Sequence, residues 1–241
     1  MTNKKPLIIG VGGLLEQQET GRIQDLLAKL QEIGCITYSV RFSTICRDGN
    51  TILCPMSPRW VDDFNATVET ALNDERVNTS KIGIIASSIG ATIADYSISR
   101  NSLLAKGLGP YAAISPLARP HTNAINGINY LIRVKRDLDV SFPHDKEREL
   151  KRVIPYESLE QVRDINTPIE LAKMSRAYSI KPLTIIGLND DRCDIEASRE
   201  RHKSLEGAQE NLLEYNEGHS VPAELTEKPI LDFMGKELLV T

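Results

Sequence analysis

Two serines stand where a strand pattern becomes a helix pattern, in the stretch KIGIIASSIGATIADYSI (81–98). A sharp turn from strand to helix lifts the side chain of the turn residue above the sheet, where a hydroxyl can act as a nucleophile. The residues two before and two after the turn must be small, because strand and helix pass close together there. Ser88 has Ala86 and Gly90 at those positions, whereas Ser87 would have two isoleucines. The pattern therefore predicts Ser88 at the turn.

A serine hydroxyl is a weak nucleophile unless a histidine takes its proton and a carboxylate orients that histidine. The alternative is that the two serines only cap the helix that follows them, as serines often do. The choice between these interpretations depends on whether the chain supplies a histidine and an acid in suitable places.

The chain has four histidines. His121 and His144 lie near prolines and are expected in surface loops, and His202 lies in the charged segment SRERHKSLEG, where an exposed position on a helix is expected. His219, in YNEGHSVP, comes just after a strand pattern and directly behind a glycine that lets the backbone bend. His219 is therefore the candidate base, with an ordinary loop histidine as the alternative.

Acidic residues follow another strand in TIIGLNDDRCD, which ends its apolar run at Gly187. Asp190 and Asp191 are candidates for the orienting acid, with an Asx turn as the alternative. Asp194 directly precedes a helix pattern and is expected to be its N-cap. Neither H-E-x-x-H nor D-x-D-x-D-G is present, so the sequence predicts no metal ion and no cofactor.

Strand patterns alternate with helix patterns along the chain, which predicts an α/β fold with a mainly parallel sheet covered by helices on both faces. About six strands are expected. The helix over 21–33 is expected to have Thr20 as its N-cap and Gly34 just after its end. The predicted strands lie at 6–10, 35–42, 81–86, 111–117, 181–188 and 211–215, and the other helices carry Trp60–Leu72, begin near Ser88, run from Asp194 to Leu205, and span 222–239.

A long segment, 118–180, interrupts this alternation and is too long for an ordinary connection. It contains TPIELAKMSRAY, in which Thr167 is expected to cap a helix, Pro168 to occupy its first position, and Glu170 to complete a capping box. We expect one domain over 1–241, with 118–180 as a lid inserted into it.

The order of the candidates carries more weight than any one motif. A serine, an acid and a histidine each follow a strand, in that order, at the end where parallel sheets build their sites. On the pieces IIGVGG, IIASSIGAT, IIGLNDD and NEGHSV, the chain resembles a serine hydrolase of the α/β-hydrolase superfamily over nearly its whole length. Within that superfamily it is most similar to small feruloyl/cinnamoyl-esterase-like and acyl-peptidase-like members. It departs from their G-x-S-x-G motif in having alanine at the first glycine.

The resemblance implies a role for each candidate. Ser88 would be the nucleophile, His219 the general base and then the general acid, and Asp190 the residue that orients His219. Asp190 is preferred to Asp191 because the acid of the family usually lies three residues after the glycine that closes the strand, here Gly187.

The glycines of IIGVGG have two interpretations. A phosphate-binding turn would need a glycine where the chain has Leu15, or a following G-K-[ST], and neither is present. A hydrolase would use this loop for an oxyanion hole, in which two backbone N–H groups face the developing negative charge. One donor is expected from Ile89, and the resemblance implies Val11 as the other, although this chain has Ile9 where the family often has histidine.

Charge and composition limit the kinds of partner that the chain is expected to bind. The net charge of −4 and pI near 5.7 do not favour nucleic acid or an anionic membrane, and no apolar run reaches the length of a membrane span. The start shows no signal peptide and the four cysteines have no metal-binding spacing, so a reduced, cytoplasmic protein is expected. The predicted partner is a small-molecule ester, and no oligomeric state is predicted.

The predicted function is hydrolysis of a small or medium carboxylic ester through an acyl-enzyme. Mixed charge and short apolar clusters such as INYLI in 118–180 do not suggest a lid for long lipid chains. The alternatives are an aminopeptidase or amidase with the same triad, and a non-catalytic binding protein that kept the fold.

Overall fold

Apolar runs and amphipathic segments alternate in the computed structural model, which describes residues 4–13, 21–54, 59–100, 107–140, 151–172 and 180–239. The strands are β1 (Lys5–Val11), β2 (Ile36–Ser39), β3 (Cys46–Asp48), β4 (Thr51–Leu53), β5 (Val77–Ser87), β6 (Leu108–Ile114), β7 (Leu138–Asp139), β8 (Lys151–Ile154), β9 (Lys181–Gly187) and β10 (Leu212–Tyr215). The helices are α1 (Arg22–Glu32), α2 (Arg59–Leu72), α3 (Ile89–Arg100), α4 (Thr122–Val134), α5 (Leu159–Arg163), α6 (Thr167–Ala172), α7 (Ile195–Ser204) and α8 (Ala223–Leu239).

Six strands form the main sheet, in the order β10-β9-β6-β5-β1-β2. All five neighbouring pairs are parallel. Parallel strands bring their carboxyl ends to one edge, so the residues that follow β1, β5, β9 and β10 meet there. The prediction of a mainly parallel sheet of about six strands is confirmed.

The core lies on both faces of this sheet because successive side chains of a strand point in opposite directions. In β1, Leu7, Ile9 and Val11 belong to the apolar cluster that includes residues of α2 and α3. Ile8 belongs to the cluster on the other face, which includes residues of α1 and α8. The predicted helix layers on both faces of the sheet are confirmed.

A second sheet, with the order β3-β4-β8-β7, was not predicted. Its first two strands come from the segment between β2 and α2, where the sequence analysis placed neither a strand nor a helix. Those strands have three residues each, too few for an alternating pattern to stand out. Its other two strands and helices α4 and α5 come from 118–180. A separate apolar cluster joins them, with Ile52, Ile128, Ile154, Leu159 and Val162 among its buried members.

Two helix ends differ from expectation. Gly21 is the N-cap of α1 and makes no side-chain cap hydrogen bond, while Thr20, the predicted cap, lies outside the described residues. Gly34 follows the C-cap with φ of +106°, as predicted for the residue just beyond the helix end. Thr167 is the first residue of α6 rather than its cap. Its buried Oγ1 has no hydrogen-bond partner among the described residues, so the predicted capping box is wrong. The predicted helix would continue through residues 173–178, which lie outside the described residues.

Candidate active site

The turn between β5 and α3 places Ser88 in a strained conformation. Its φ is +49°, in a region that residues with a Cβ seldom occupy, and its N–H donates to the carbonyl oxygen of Ile114 at 2.9 Å. A Cβ added at Gly90 would lie 2.4 Å from the carbonyl oxygen of Val11, so only glycine fits there. This contact is the physical reason for the small residue two positions after the turn. Ser87 is the last residue of β5 and is buried.

His219 reaches this serine from the loop after β10. The Ser88 Oγ and His219 Nε2 atoms lie 3.0 Å apart, across 131 residues of chain. The histidine loop packs on the end of β9, since a Cβ added at Gly187 would lie 2.2 Å from the carbonyl oxygen of Gly218. The N–H of Asn189 also donates to the carbonyl oxygen of Glu217 at 2.9 Å. The two loops therefore hold each other in place.

Asp190 completes the arrangement. Its Oδ2 lies 2.8 Å from His219 Nδ1, and its Oδ1 accepts hydrogen bonds from the N–H groups of Arg192 and Cys193 at 2.9 and 3.0 Å. Burial raises the pKa of Asp190, but the hydrogen bonds to His219 and to these two N–H groups outweigh burial, and the net pKa is lowered. The side chain is therefore a carboxylate at neutral pH. Asp191 is exposed at the surface.

These contacts fix how the histidine is used. A carboxylate accepts hydrogen bonds only, so Asp190 Oδ2 accepts a hydrogen bond from the Nδ1–H group of a neutral His219. The lone pair of Nε2 then faces Ser88, and the serine hydroxyl donates to it. This is the tautomer that a general base beside a serine requires.

The glycine loop after β1 lies against the serine. A Cβ added at Gly13 would lie 3.3 Å from the Cβ of Ser88, and Val11 is paired with Ala86 in the sheet. Ile89 is the first residue of α3, and N–H groups in the first turn of a helix have no acceptor within the helix. The structure thus brings Val11 and Ile89 to the surroundings of Ser88, and their use as oxyanion donors stays a prediction.

Cys193 is a neighbour of the site that the sequence analysis did not identify. Its Sγ lies 3.5 Å from His219 Nδ1 and 3.9 Å from the carbonyl oxygen of Ser115, a buried residue with φ of +43°. Burial, followed by the charge of Asp190, raises the pKa of the Cys193 thiol well above its usual value, so the thiol is protonated. Cys193 and His219 are 26 residues apart and share no motif, so no pattern could have joined them.

The start of the 118–180 segment is attached to the loop that carries Asp190. Pro120 and Cys193 form an isolated antiparallel bridge, and the N–H of Asp194 donates to the carbonyl oxygen of Arg119 at 2.8 Å. The side chain of Arg119 also pairs with Asp194 at 2.9 Å. Asp194 caps α7 by accepting from the N–H of Ala197, as predicted.

The prediction that His202 is exposed is wrong. His202 is buried, with Nδ1 2.9 Å from Thr184 Oγ1 and Nε2 3.0 Å from the carbonyl oxygen of Ala208. The chain turns over the imidazole at Gly207, where an added Cβ would collide with the ring. A short turn after α7 therefore buries His202, although the charged residues around it in the sequence led to the prediction of an exposed side chain. His121 caps α4 by accepting from the N–H of Asn123, and His144 lies outside the described residues.

Solved structures resemble the whole chain. Est1E from Butyrivibrio proteoclasticus aligns with a TM-score of 0.65 and 18% identity over 98% of this chain and 89% of its own. A Pyrococcus furiosus esterase aligns with a TM-score of 0.63 and 15% identity over 98% and 83%. A Bacteroides ovatus protein that bears the name dipeptidyl aminopeptidase IV aligns with a TM-score of 0.63 and 17% identity over 98% of this chain and 32% of its own.

No protein-family model matches the sequence, and neither does any curated protein. The likeness to solved structures, together with the parallel sheet, shows that this chain has the α/β-hydrolase fold. Among the described residues, no helix has the length and apolar composition needed to cross a membrane.

Proposed function

We propose that the chain is a serine hydrolase that cleaves a small or medium carboxylic ester through an acyl-enzyme on Ser88. The observation that carries the proposal is the continuous hydrogen-bonded row Ser88–His219–Asp190, with distances of 3.0 and 2.8 Å, at the carboxyl edge of the sheet. A serine in a strained turn with a base and an oriented acid is the arrangement used for nucleophilic attack on acyl groups.

In the first half-reaction, Ser88 Oγ attacks the ester carbonyl carbon while its proton moves to His219 Nε2. The imidazolium that forms is stabilised by the carboxylate of Asp190, which stays ionised. The tetrahedral oxyanion accepts hydrogen bonds from the backbone N–H groups of Ile89 and Val11, which we assign as the oxyanion hole. Collapse breaks the bond to the alcohol oxygen, and His219 gives that oxygen its proton.

In the second half-reaction, a water molecule loses a proton to His219 Nε2 and attacks the acyl carbon. The proton returns to Ser88 Oγ as the acyl bond breaks, and the free acid leaves. No group outside the triad and the two backbone donors is needed for this cycle.

Two features support an ester substrate of modest size. Est1E, 18% identical to this chain, has also been solved with ferulic acid bound, and the Pyrococcus furiosus protein is named an esterase. In addition, α4, from the 118–180 segment, exposes a mixture of polar and apolar side chains rather than a broad apolar surface. We propose that 118–180 is the lid and that it limits the length of the acyl chain.

The cytoplasmic location of the protein stays a prediction from the sequence.

A peptidase or amidase is the second candidate, favoured by the likeness to the Bacteroides ovatus protein named as a dipeptidyl aminopeptidase. The same triad could attack an amide, because the chemistry differs only in the leaving group. This chain covers 32% of that protein's length, so the comparison leaves about two thirds of that protein unmatched.

A substrate series tests the proposal. Hydrolysis of p-nitrophenyl esters from acetate to palmitate would be measured beside aminoacyl p-nitroanilides, with Ser88→Ala as the blank for each substrate. We expect kcat/KM to be highest for short acyl chains and to fall toward palmitate. A maximum at palmitate would contradict the lid assignment, and faster cleavage of anilides than of esters would favour the peptidase.

A further inference from the structure

Three side chains that can ligate a metal ion lie close together in the candidate site. Asp190, Cys193 and His219 each offer a ligand atom, and all three atoms lie within 4.8 Å of one another. Only Nε2 of His219 faces the serine, so its Nδ1, the Cys193 thiol and the Asp190 carboxylate form a separate cluster on the far side of the ring. We propose that this cluster binds Zn²⁺ or a similar thiophilic divalent ion, and that binding inhibits the enzyme.

The spacing suits a tetrahedral ion. Zn–N and Zn–S bonds of about 2.0–2.1 and 2.3 Å place the two ligand atoms roughly 3.5 Å apart. His219 Nδ1 and Cys193 Sγ are already 3.5 Å apart. The Asp190 Oδ2 atom is 2.8 Å from Nδ1 and would have to move away by about half an ångström.

The carboxylate is held in the orientation that a ligand needs. Asp190 Oδ1 is fixed by the N–H groups of Arg192 and Cys193, and Oδ2 is the oxygen that lies against the imidazole. Thiolate and imidazole ligands favour zinc, cobalt and cadmium over magnesium and calcium, which prefer sites made only of oxygen. The cluster therefore discriminates between these two classes of ion.

Binding would reverse the tautomer of the base. The ion takes the lone pair of His219 Nδ1, so the Nδ1 proton is transferred to Nε2 and the imidazole stays neutral. The Cys193 thiol loses its proton to solvent, so one proton is released for each ion bound. With Nε2 protonated, the ring donates to Ser88 Oγ and can no longer accept its proton. This inhibition rests on the proposed function, whereas the binding of the ion does not.

Cobalt is the probe for binding because its absorption reports both tetrahedral geometry and thiolate ligation without any need for activity. We expect CoCl₂ to produce visible ligand-field bands and a near-ultraviolet thiolate-to-cobalt band in the wild type. Ser88→Ala leaves all three ligands intact and should give the same spectrum. Cys193→Ala should lose the charge-transfer band, and Cys35→Ser, which changes another buried thiol outside the cluster, should keep it.

Inhibition is measured as the decrease in the rate of fluorophosphonate labelling when ZnCl₂ is added. For each protein, the rate with zinc is compared with the rate of the same protein without zinc. Loss of the general base predicts labelling about 10²–10⁴-fold slower at saturating zinc, restored by EDTA and absent with MgCl₂. A folded wild type without the cobalt bands, or a thiolate band that persists in Cys193→Ala, would overturn the metal site. Cobalt binding with labelling unaffected by zinc would overturn the inhibition alone. A wild type that binds cobalt but is never labelled would contradict the proposed function and leave the metal site supported.

Should Cys193→Ala fail to fold, as judged by circular dichroism, His219→Ala serves as the second variant. His219 lies in a surface loop and its side chain is 14% exposed, so its loss should leave the fold intact. It removes the imidazole ligand, and we expect the tetrahedral spectrum to disappear. A cobalt spectrum that is unchanged in His219→Ala would overturn the proposed site.

Discussion

Ser88 Oγ and His219 Nε2 lie 3.0 Å apart although 131 residues separate them along the chain. The contact depends on the parallel sheet, which ends β5 and β10 at the same edge, and on Gly187, whose lack of a side chain lets the acid and histidine loops touch. The catalytic account follows from this relationship, and so do tests of its parts.

The two neighbouring aspartates provide a matched test of the acid. Asp190→Asn replaces the carboxylate that accepts from His219 Nδ1 with an amide that does not fix the tautomer, and we expect activity to fall about 10⁴-fold. Asp191→Asn changes an exposed side chain and should leave kcat/KM within about twofold. Ester hydrolysis by the two purified variants decides the matter; a larger loss in Asp191→Asn would exchange the two roles.

Gly90 tests the packing of the loop after β1. In Gly90→Ala the new Cβ would meet backbone oxygens of Val11 and Gly12 at 2.4 and 2.5 Å, and these cannot rotate away. We expect a loss of stability of about 1–3 kcal/mol. We also expect slower labelling of Ser88, because the loop proposed to hold an oxyanion donor is displaced. Urea unfolding and labelling rates measure the two effects.

The control for Gly90→Ala is Gly127→Ala in α4. Gly127 is exposed and has no atom within 4 Å of an added Cβ, so alanine should raise stability by about 0.5–1 kcal/mol through helix propensity. Equal stabilities for the two variants would show that the close approach at Gly90 is not present in solution.

A buried ion pair ties the helix after the nucleophile to the helix after the acid loop. Arg201 of α7 donates to both carboxylate oxygens of Asp95 of α3 at 2.7 and 2.8 Å, and both side chains are fully buried. Arg201→Met leaves Asp95 as an uncompensated buried charge, which costs about 3–5 kcal/mol. Lys228→Met removes the exposed pair with Asp232 and should change the free energy of unfolding by less than about 1 kcal/mol. Similar losses in the two variants would contradict the burial of the Arg201 pair.

His202 predicts a dependence of stability on pH. Burial lowers its pKa in the folded protein, the hydrogen bond to Ala208 opposes that effect, and the charge of Arg201 adds to it. The unfolded chain therefore binds a proton first, near pH 6.5, and stability falls as the pH decreases from there toward the folded-state pKa. His202→Gln should flatten the dependence of Tm on pH between about 7 and 5. An unchanged slope would show that His202 does not cause it.

Local patterns were sufficient for much of this structure where a residue's surroundings lie close in sequence. Ala86 and Gly90 identified Ser88 because the constraint on the turn lies within two residues on either side. The order of the strands predicted that Asp190 and His219 lie at the same edge of the sheet, although it predicted no distance between them. In contrast, the burial of His202 depends on a turn at Gly207, and the second sheet depends on three-residue strands paired with a distant segment. The thiol of Cys193 reaches the imidazole through tertiary packing alone, which no spacing in the sequence reports.

The central claim is that Ser88 is the activated nucleophile, and fluorophosphonate labelling of purified wild type, Ser88→Ala and Ser87→Ala measures it most directly. The probe reports activation of the hydroxyl without knowledge of the substrate, and Ser87, buried one residue earlier, is the matched control. The account predicts that wild type and Ser87→Ala are labelled and that Ser88→Ala is not. Labelling that persists in folded Ser88→Ala, or a folded wild type that does not react, would contradict it.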